Sequence, residues 1–228
     1  MNVKLLSCTS FGREVANIAS CICVGADANK SNSLQHAIAS GHESVLEHVS
    51  FTFLITGISR ACSHQLVRHR LASYSQQSQR YVGLSSRDVF DHVIPETISK
   101  NQEAMAEYER LMSAISEVYG RLVDCYKIPQ EDARYVLPNA CETDLVMTMN
   151  VRELRHFFNL RCCNRAQWEI RELANEMLKI CKFTEPTLFE GAGPSCEKYG
   201  LCPESRTCGK HPRVKDVIFV RKESGQKI

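Results

Sequence analysis

The run VSFTFLITGISRACSHQLVRHR, residues 49–70, changes periodicity in mid-course. Over 49–57, Val49, Phe51, Phe53 and Ile55 alternate with Ser50, Thr52, Leu54 and Thr56, the period-two pattern of a strand with one buried face. Ser59 then stands where a helix needs an N-cap, because its hydroxyl can accept a hydrogen bond from an amide that has no partner in the first turn. The helix so begun runs from Arg60 to about Arg68, with Ala61, Leu66 and Val67 turned inward and Arg68, His69 and Arg70 at its C-terminal turn. A strand feeding directly into a helix that ends on three cations sets the reading of the rest.

Upstream, Val3–Leu6 reads as a short strand, and residues 11–23 carry Val15, Ile18, Ala19 and Ile22 at helical spacing. A polar loop at 27–33 offers Ser31 or Ser33 to cap a helix whose apolar face is Leu34, Ala37 and Ile38, and Gly41 ends it in a left-handed conformation. Downstream, Met105, Tyr108, Leu111, Met112, Ile115, Tyr119, Leu122, Val123 and Tyr126 make 101–127 the longest helical segment, stopped by Pro129. A helical turn before Pro138, a strand at 145–150, a short helix at 151–161, a long helix at 166–181 and a late strand at 217–220 complete the pattern. Helices outnumber strands and no regular βαβ repeat is visible. The reading is therefore one α+β domain, a small mixed or antiparallel sheet packed by long helices, over residues 1–190, with a cysteine-rich appendage over 191–228.

Bulk composition narrows the function. Twenty-eight basic residues against 26 acidic ones leave a net charge of +2, which argues against a broad nucleic-acid-binding face, so any phosphate recognition has to come from local clusters. The first twenty residues have neither the basic start nor the long apolar run of a signal peptide, and no stretch approaches the roughly 18 apolar residues of a membrane helix. A cytoplasmic protein with no membrane partner is expected. The twelve cysteines then read as reduced thiols rather than a disulfide framework. Cys196, Cys202, Cys208 and His211 follow a C-x5-C-x5-C-x2-H spacing that three thiolates and an imidazole could turn to zinc. The wide gaps and the lack of C-x2-C pairs favour free thiols, so no metal is assigned.

The densest local cluster is RHRLASYSQQSQRY, residues 68–81. Three consecutive cations in a helix fan out about 100° apart and cannot all grip one group. The polar run after them, Ser73, Ser75, Gln76, Gln77, Ser78, Gln79 and Arg80, contains donors and acceptors but no carboxylate. Such a lining suits a pyrimidine edge and a phosphate, with Tyr74, Tyr81 and Val82 holding the segment against the body. No G-x-G-x-x-G follows a strand, so a Rossmann site for a dinucleotide is not expected.

At these residues the chain resembles the flavin-dependent thymidylate synthases. Arg68–Ser78 matches their RHR-x7-S signature, and GHESVLEHVSFTF (41–53), ARYVLP (133–138), MNVRELRHFFNLR (149–161) and AQWEI (166–170) resemble their other blocks in order. The resemblance implies reductive methylation of dUMP to dTMP without a cysteine nucleophile. Methylenetetrahydrofolate gives the carbon, FAD reduced by NADH or NADPH is the cofactor, and the sites are shared between subunits of a homotetramer. It implies Arg161 as the catalytic residue, the one that ionises N3 of dUMP. It implies Gln65, Leu66, Val67, Arg68, Gln76, Gln77, Ser78, Gln79, Arg80, Arg134 and Arg161 as dUMP contacts. Ser44, Arg68, His69, Arg70, Gln76, Asn150, Arg152 and His156 are implied as FAD contacts. Ser75-Gln76 stands where many members have Asn-Glu, Ser44 where some have threonine, and His156 where some have asparagine. A module that binds RNA, or a relative that modifies another pyrimidine nucleotide, are the alternatives.

Overall fold

The computed structural model describes residues 1–28, 31, 33–82 and 89–217. In chain order the elements are β1 (Asn2–Cys8), α1 (Gly12–Val24), α2 (Ser33–Ala39), a 3-10 helix (Glu43–His48), β2 (Ser50–Ser59), α3 (Arg60–Leu66), β3 (Ala72–Gln76), α4 (Glu96–Ser99) and α5 (Gln102–Gly120). There follow a π turn (Arg121–Cys125), α6 (Gln130–Ala133), a 3-10 turn (Arg134–Val136), β4 (Glu142–Asn150), α7 (Val151–Arg161), α8 (Trp168–Thr184) and α9 (Ser195–Tyr199). The four strands form one small antiparallel sheet in the order β1-β2-β4-β3, so the class is α+β.

Local chemistry explains most of the boundaries. The Ser59 hydroxyl accepts from the Cys62 amide at 3.0 Å and starts α3 where β2 stops. Asn101 caps α5 by accepting from the Glu103 and Ala104 amides, Asn150 caps α7 through the Glu153 amide, and Gln167 caps α8 through the Glu169 and Ile170 amides. Gly41 has φ +78°, and the amide of His42 reaches back to the Ala37 carbonyl at 2.8 Å, closing α2 with the left-handed turn that glycine adopts without penalty.

Within the domain two compact units stand out. The first comprises Met1–Asn2, Leu54–Arg68 and Tyr74–Met147. Its interior contains Ile55, Ile58, Leu66, Leu145 and Met147, and a cluster of Phe90, Met112 and Cys141 covered by Tyr108, Ile115, Leu137 and Ala140. The second comprises Val3–Phe53, His69–Ser73 and the chain from Thr148 onward. Aromatic rings fill its core: Phe51 meets Phe189 edge-on at 5.4 Å, Phe158 meets Phe189 at 6.0 Å, and Phe157 lies 5.7 Å from Phe158. Residues 191–217 of the cysteine-rich segment cluster with this second unit.

Four expectations need correction. The helix over 60–68 ends at Leu66, so Arg68, His69 and Arg70 lie beyond it and do not fan from its last turn. The polar run that follows opens with a strand, β3, on which Ala72, Tyr74 and Gln76 are half-buried and Ser73 and Ser75 exposed. Its polar side chains hid the period-two pattern, and pairing with β4 supplies the backbone partners that propensity alone does not. Tyr74 does hold the segment, its hydroxyl donating to the Leu66 carbonyl at 2.9 Å, but Tyr81 is 78 % exposed and Val82 44 %. Of the strand expected at 217–220, Val217 lies in a helical turn and 218–220 fall outside the described residues.

Candidate active site

The boundary between the units falls between Arg68 and His69, so the expected site residues divide into two sets. In the first unit, β3 leads into a tight turn. Ser78 heads it: its Oγ accepts from the Arg80 amide at 3.2 Å and its carbonyl from the amides of Tyr81 and Val82. The hydroxyl is thus a turn-forming group engaged with the backbone of its own turn, which suits binding rather than nucleophilic attack. Arg80 pairs with Glu131 at 2.9 Å, and Arg134 Nε donates to the Glu131 carbonyl at 3.0 Å, which brings both arginines to the same carboxylate-bearing turn.

Beside that turn lies a cavity of about 280 Å³, near the lower end of ordinary small-molecule sites. Arg60, Ser63, His64, Val67, Gln76, Gln79, Leu137, Pro138 and Asn139 line it, and none carries a carboxylate. Gln76 is fixed in it by donating to Ser63 Oγ at 2.9 Å and Thr143 Oγ1 at 3.2 Å. Val67, Gln76 and Gln79 were expected here, whereas Arg60, Ser63, His64 and Asn139 were not. The signal was available for two of them, since Arg60 and His64 stand four residues apart on one face of α3, and just past the helix end Arg68 Nη2 meets His64 Nε2 at 3.1 Å. Burial lowers the Arg60 guanidinium below its usual range, the mark of a cation held partly out of water. Gln65, also half-buried, donates back to the Ala61 carbonyl, and Leu66 is fully buried as core.

In the second unit the central residue is His69, only 6 % exposed. Arg161 Nε donates to its Nε2 at 3.1 Å, and its Nδ1 lies 3.3 Å from Glu153 Oε1. His156 lies 6.1 Å away and Phe157 packs edge-on at 4.9 Å. Burial first, then the positive charges of Arg161 and His156, lower the His69 pKa from 6.5 to about 4, so the ring is neutral at pH 7 and the Glu153 contact is a hydrogen bond rather than an ion pair. Burial also raises the Glu153 carboxyl.

A stability consequence follows from these signs. Between pH 6.5 and about 4 the unfolded chain protonates His69 and the folded chain does not. The unfolding free energy should therefore drop as the pH is lowered through that window, by up to about 3 kcal/mol. Urea unfolding of the parent and of His69→Gln across pH 4–7 checks this, the variant lacking that component; parallel curves would refute it.

Asn150 and Arg152 stand at the N-terminus of α7, an end that favours anions, and Arg152 is paired with Glu47. Arg70, Ser44 and His156 are exposed. His156 borders a second cavity of about 280 Å³ whose wall includes Gly41, Glu43, Arg155, Asn159 and residues of the 191–199 segment. Exposed arginines, a hydroxyl, an imidazole and a helix N-terminus are the donor types that suit the diphosphate and ring edges of a dinucleotide, so the set fits FAD. In the same unit Cys162, Cys163, Cys196, Cys202 and Cys208 line a cavity of about 30 Å³. All twelve cysteines are free, and among the described residues no group of three or more His, Cys, Asp or Glu side chains is arranged to hold a metal ion.

Residues 4–187 match the family model described as thymidylate synthase complementing protein. The chain belongs to this family. It is 57% identical over 183 residues to the flavin-dependent thymidylate synthase of Geobacter sulfurreducens, covering 80% of this chain and 78% of that one. With the Clostridium tetani flavin-dependent thymidylate synthase the identity is 45% over 246 residues, 96% of this chain and 97% of the other. Among solved structures, the UMP/dUMP methylase PolB of Streptomyces cacaoi, bound with 5-Br dUMP, superposes with a TM-score of 0.72 at 26% identity, over 83% of this chain and 93% of that one. The flavin-dependent thymidylate synthase ThyX of Helicobacter pylori, complexed with FAD and dUMP, gives 0.64 at 25% identity, over 85% and 100%. These two solved structures thus share the strand-and-helix frame of this chain.

Proposed function

We propose that the chain is a flavin-dependent thymidylate synthase that methylates dUMP at C5, its synthase domain spanning 1–190 and the cysteine-rich segment 191–228 appended to it. The carboxylate-free cavity beside the Ser78 turn carries the reading. Arg68, Arg80 and Arg134 hold the phosphate, with the amides of the turn. Gln65, Leu66, Val67, Gln76, Gln77, Ser78 and Gln79 shape the nucleotide's surroundings, and Arg161 forks to the N3–O4 edge of the uracil. A guanidinium stays protonated at every working pH, so Arg161 stabilises the negative charge that grows on that edge as C5 becomes nucleophilic. A thiol nucleophile is not needed, and the local chemistry does not offer one. Cys141, which interacts with Arg60 and Gln79, is pushed up to about 11, chiefly by burial, and is protonated at neutral pH.

FAD, held by Ser44, Arg68, His69, Arg70, Gln76, Asn150, Arg152 and His156, supplies the hydride when bound, methylenetetrahydrofolate the carbon, and NADH or NADPH the reducing equivalents. The exposed flavin donors are completed by neighbouring subunits of a homotetramer. No helix among the described residues is long and apolar enough to cross a membrane, and with a net charge of +2 the reading is a cytoplasmic enzyme with neither membrane nor nucleic acid as partner.

The purified protein should be yellow, with a flavin spectrum perturbed by dUMP, and should form dTMP from dUMP, methylenetetrahydrofolate and a reduced nicotinamide. A colourless protein that binds RNA with steep salt dependence would replace this reading with the nucleic-acid one. UMP offered in place of dUMP tests the alternative pyrimidine substrate.

A further inference from the structure

Arg161 does not stand alone. Its Nε–H points at a ring nitrogen of His69, and the other nitrogen of that ring faces Glu153. The protons on this chain can be assigned from chemistry alone. A guanidinium has donors and no acceptor, so His69 Nε2 must carry the lone pair. The ring's single proton is then on Nδ1, and it is donated to the Glu153 carboxylate. Glu153 is itself fixed within α7, where its amide donates to the Asn150 side chain at 2.9 Å, and it is 7 % exposed. The order is therefore Arg161 Nε–H to His69 Nε2, and His69 Nδ1–H to Glu153 Oε1, with the Phe157 ring packed edge-on against the imidazole.

We infer that His69 and Glu153 are positioning residues for Arg161: together they hold the guanidinium by its Nε so that its two Nη groups face outward as a fixed fork. This deepens the proposed function and rests on Arg161 being the group that meets the uracil. Arginine is a long side chain with several rotatable bonds, and a fork useful in a transition state has to be held before the reaction begins. Using Nε as the anchor leaves the Nη donors available for a planar ring edge. His69 is suited to the anchor because burial keeps it neutral. Were it protonated, Nε2 would carry a proton facing the Nε–H of Arg161, and the chain would break. The charged and titratable groups facing His69 include Arg161, Glu153 and His156. With both nitrogens engaged inside the unit, the imidazole presents only its carbon edge and faces to any cofactor.

Two replacements of the same buried ring separate positioning from packing. His69→Gln places an amide oxygen near the former Nε2 and keeps an acceptor for Arg161, whereas His69→Asn keeps a donor toward Glu153 but does not reach Arg161. In the FAD-loaded enzyme, kcat should fall by less than about tenfold in His69→Gln and by about a hundredfold in His69→Asn, with KM for dUMP changed less than threefold in both. Equal losses in the two variants would mean that the ring only fills space, and would overturn the inference. In the parent, nitrogen-15 shifts should show the Nδ1–H tautomer of His69 from pH 8 down to about 5, a readout independent of turnover and of either variant's folding. An Nε2–H tautomer would overturn it as well. Arg161→Ala, measured beside these, tests the underlying reading: a parent-like rate there, with the Nδ1–H tautomer intact, sinks the role of Arg161 while leaving the geometry of the anchor standing.

Discussion

Arg161→Ala should lower kcat for dTMP formation by about a hundred- to a thousandfold, the cost of removing one preorganised donor from a site where charge develops. Arg161 is the last residue of α7, half-buried, and its Nε donates to His69. Its removal breaks no hydrophobic core, so the unfolding midpoint and flavin content should stay near those of the parent. Because the guanidinium acts on charge that appears only as the ring reacts, kcat and kcat/KM should fall together. Arg161→Lys should recover little, since an ammonium on a flexible stem lacks both the fork and the Nε–H that His69 accepts. Steady-state rates with dUMP varied at saturating folate and nicotinamide decide the matter. An unchanged kcat would remove the mechanism proposed for this enzyme, whatever the fold.

The features legible in the sequence were those decided within a few residues. Ser59 caps α3, Gly41 turns left-handed, and Pro129 follows the end of the long helical segment, each because one residue settles the local backbone. Features decided by distant partners were not legible. β3 is a strand because β4 lies beside it, although in ASYSQ only Ala72 and Tyr74 carry the alternation and Gln76 breaks its apolar side. The family resemblance brought out Arg161 and His69 as separate contacts, but nothing in the spacing of residues 69, 153 and 161 says that one ring joins the other two. Arg60 and His64 were passed over for a different reason. The consecutive RHR triplet is the more conspicuous cluster, while the helical step of four from Arg60 to His64 is the repeat that lines the cavity. Tyr81 was assigned to packing on its residue type, yet it faces solvent with Arg80 over its ring at 5.4 Å.

Arg155→Ala should destabilise the protein by about 3 kcal/mol, the lower end of the range for breaking a buried charged pair by removing one partner, because the Glu43 side chain is 26 % exposed. Arg155 is the one guanidinium among the buried residues described, with its side chain only 5 % exposed. Its Nε donates to Glu43 Oε1 at 3.1 Å, and its Nη1 donates to the carbonyls of Leu188 at 2.9 Å and Glu190 at 3.0 Å. One side chain on α7 thereby ties the 3-10 helix that precedes β2 to the turn after α8. Alanine leaves the Glu43 carboxylate without its cation and the Leu188 carbonyl without its donor, in a region where water cannot fully replace either. Arg155→Lys should recover only part of the loss, because a single ammonium cannot reach all three acceptors from one stem. Glu43→Gln should cost less than Arg155→Ala, and the double variant should show a coupling of more than 1 kcal/mol, since both lose the same interaction. The linkage to function is geometric: Arg155 and Glu43 both border the cavity beside His156 and the 191–199 segment, so Arg155→Ala should also release flavin at lower urea than the parent. Urea unfolding followed by far-ultraviolet circular dichroism and by flavin absorbance measures both effects in one titration. A destabilisation below 1 kcal/mol would show that the three acceptors are satisfied without the guanidinium, and that the turn after α8 is held by the packing of Leu188 and Phe189 alone.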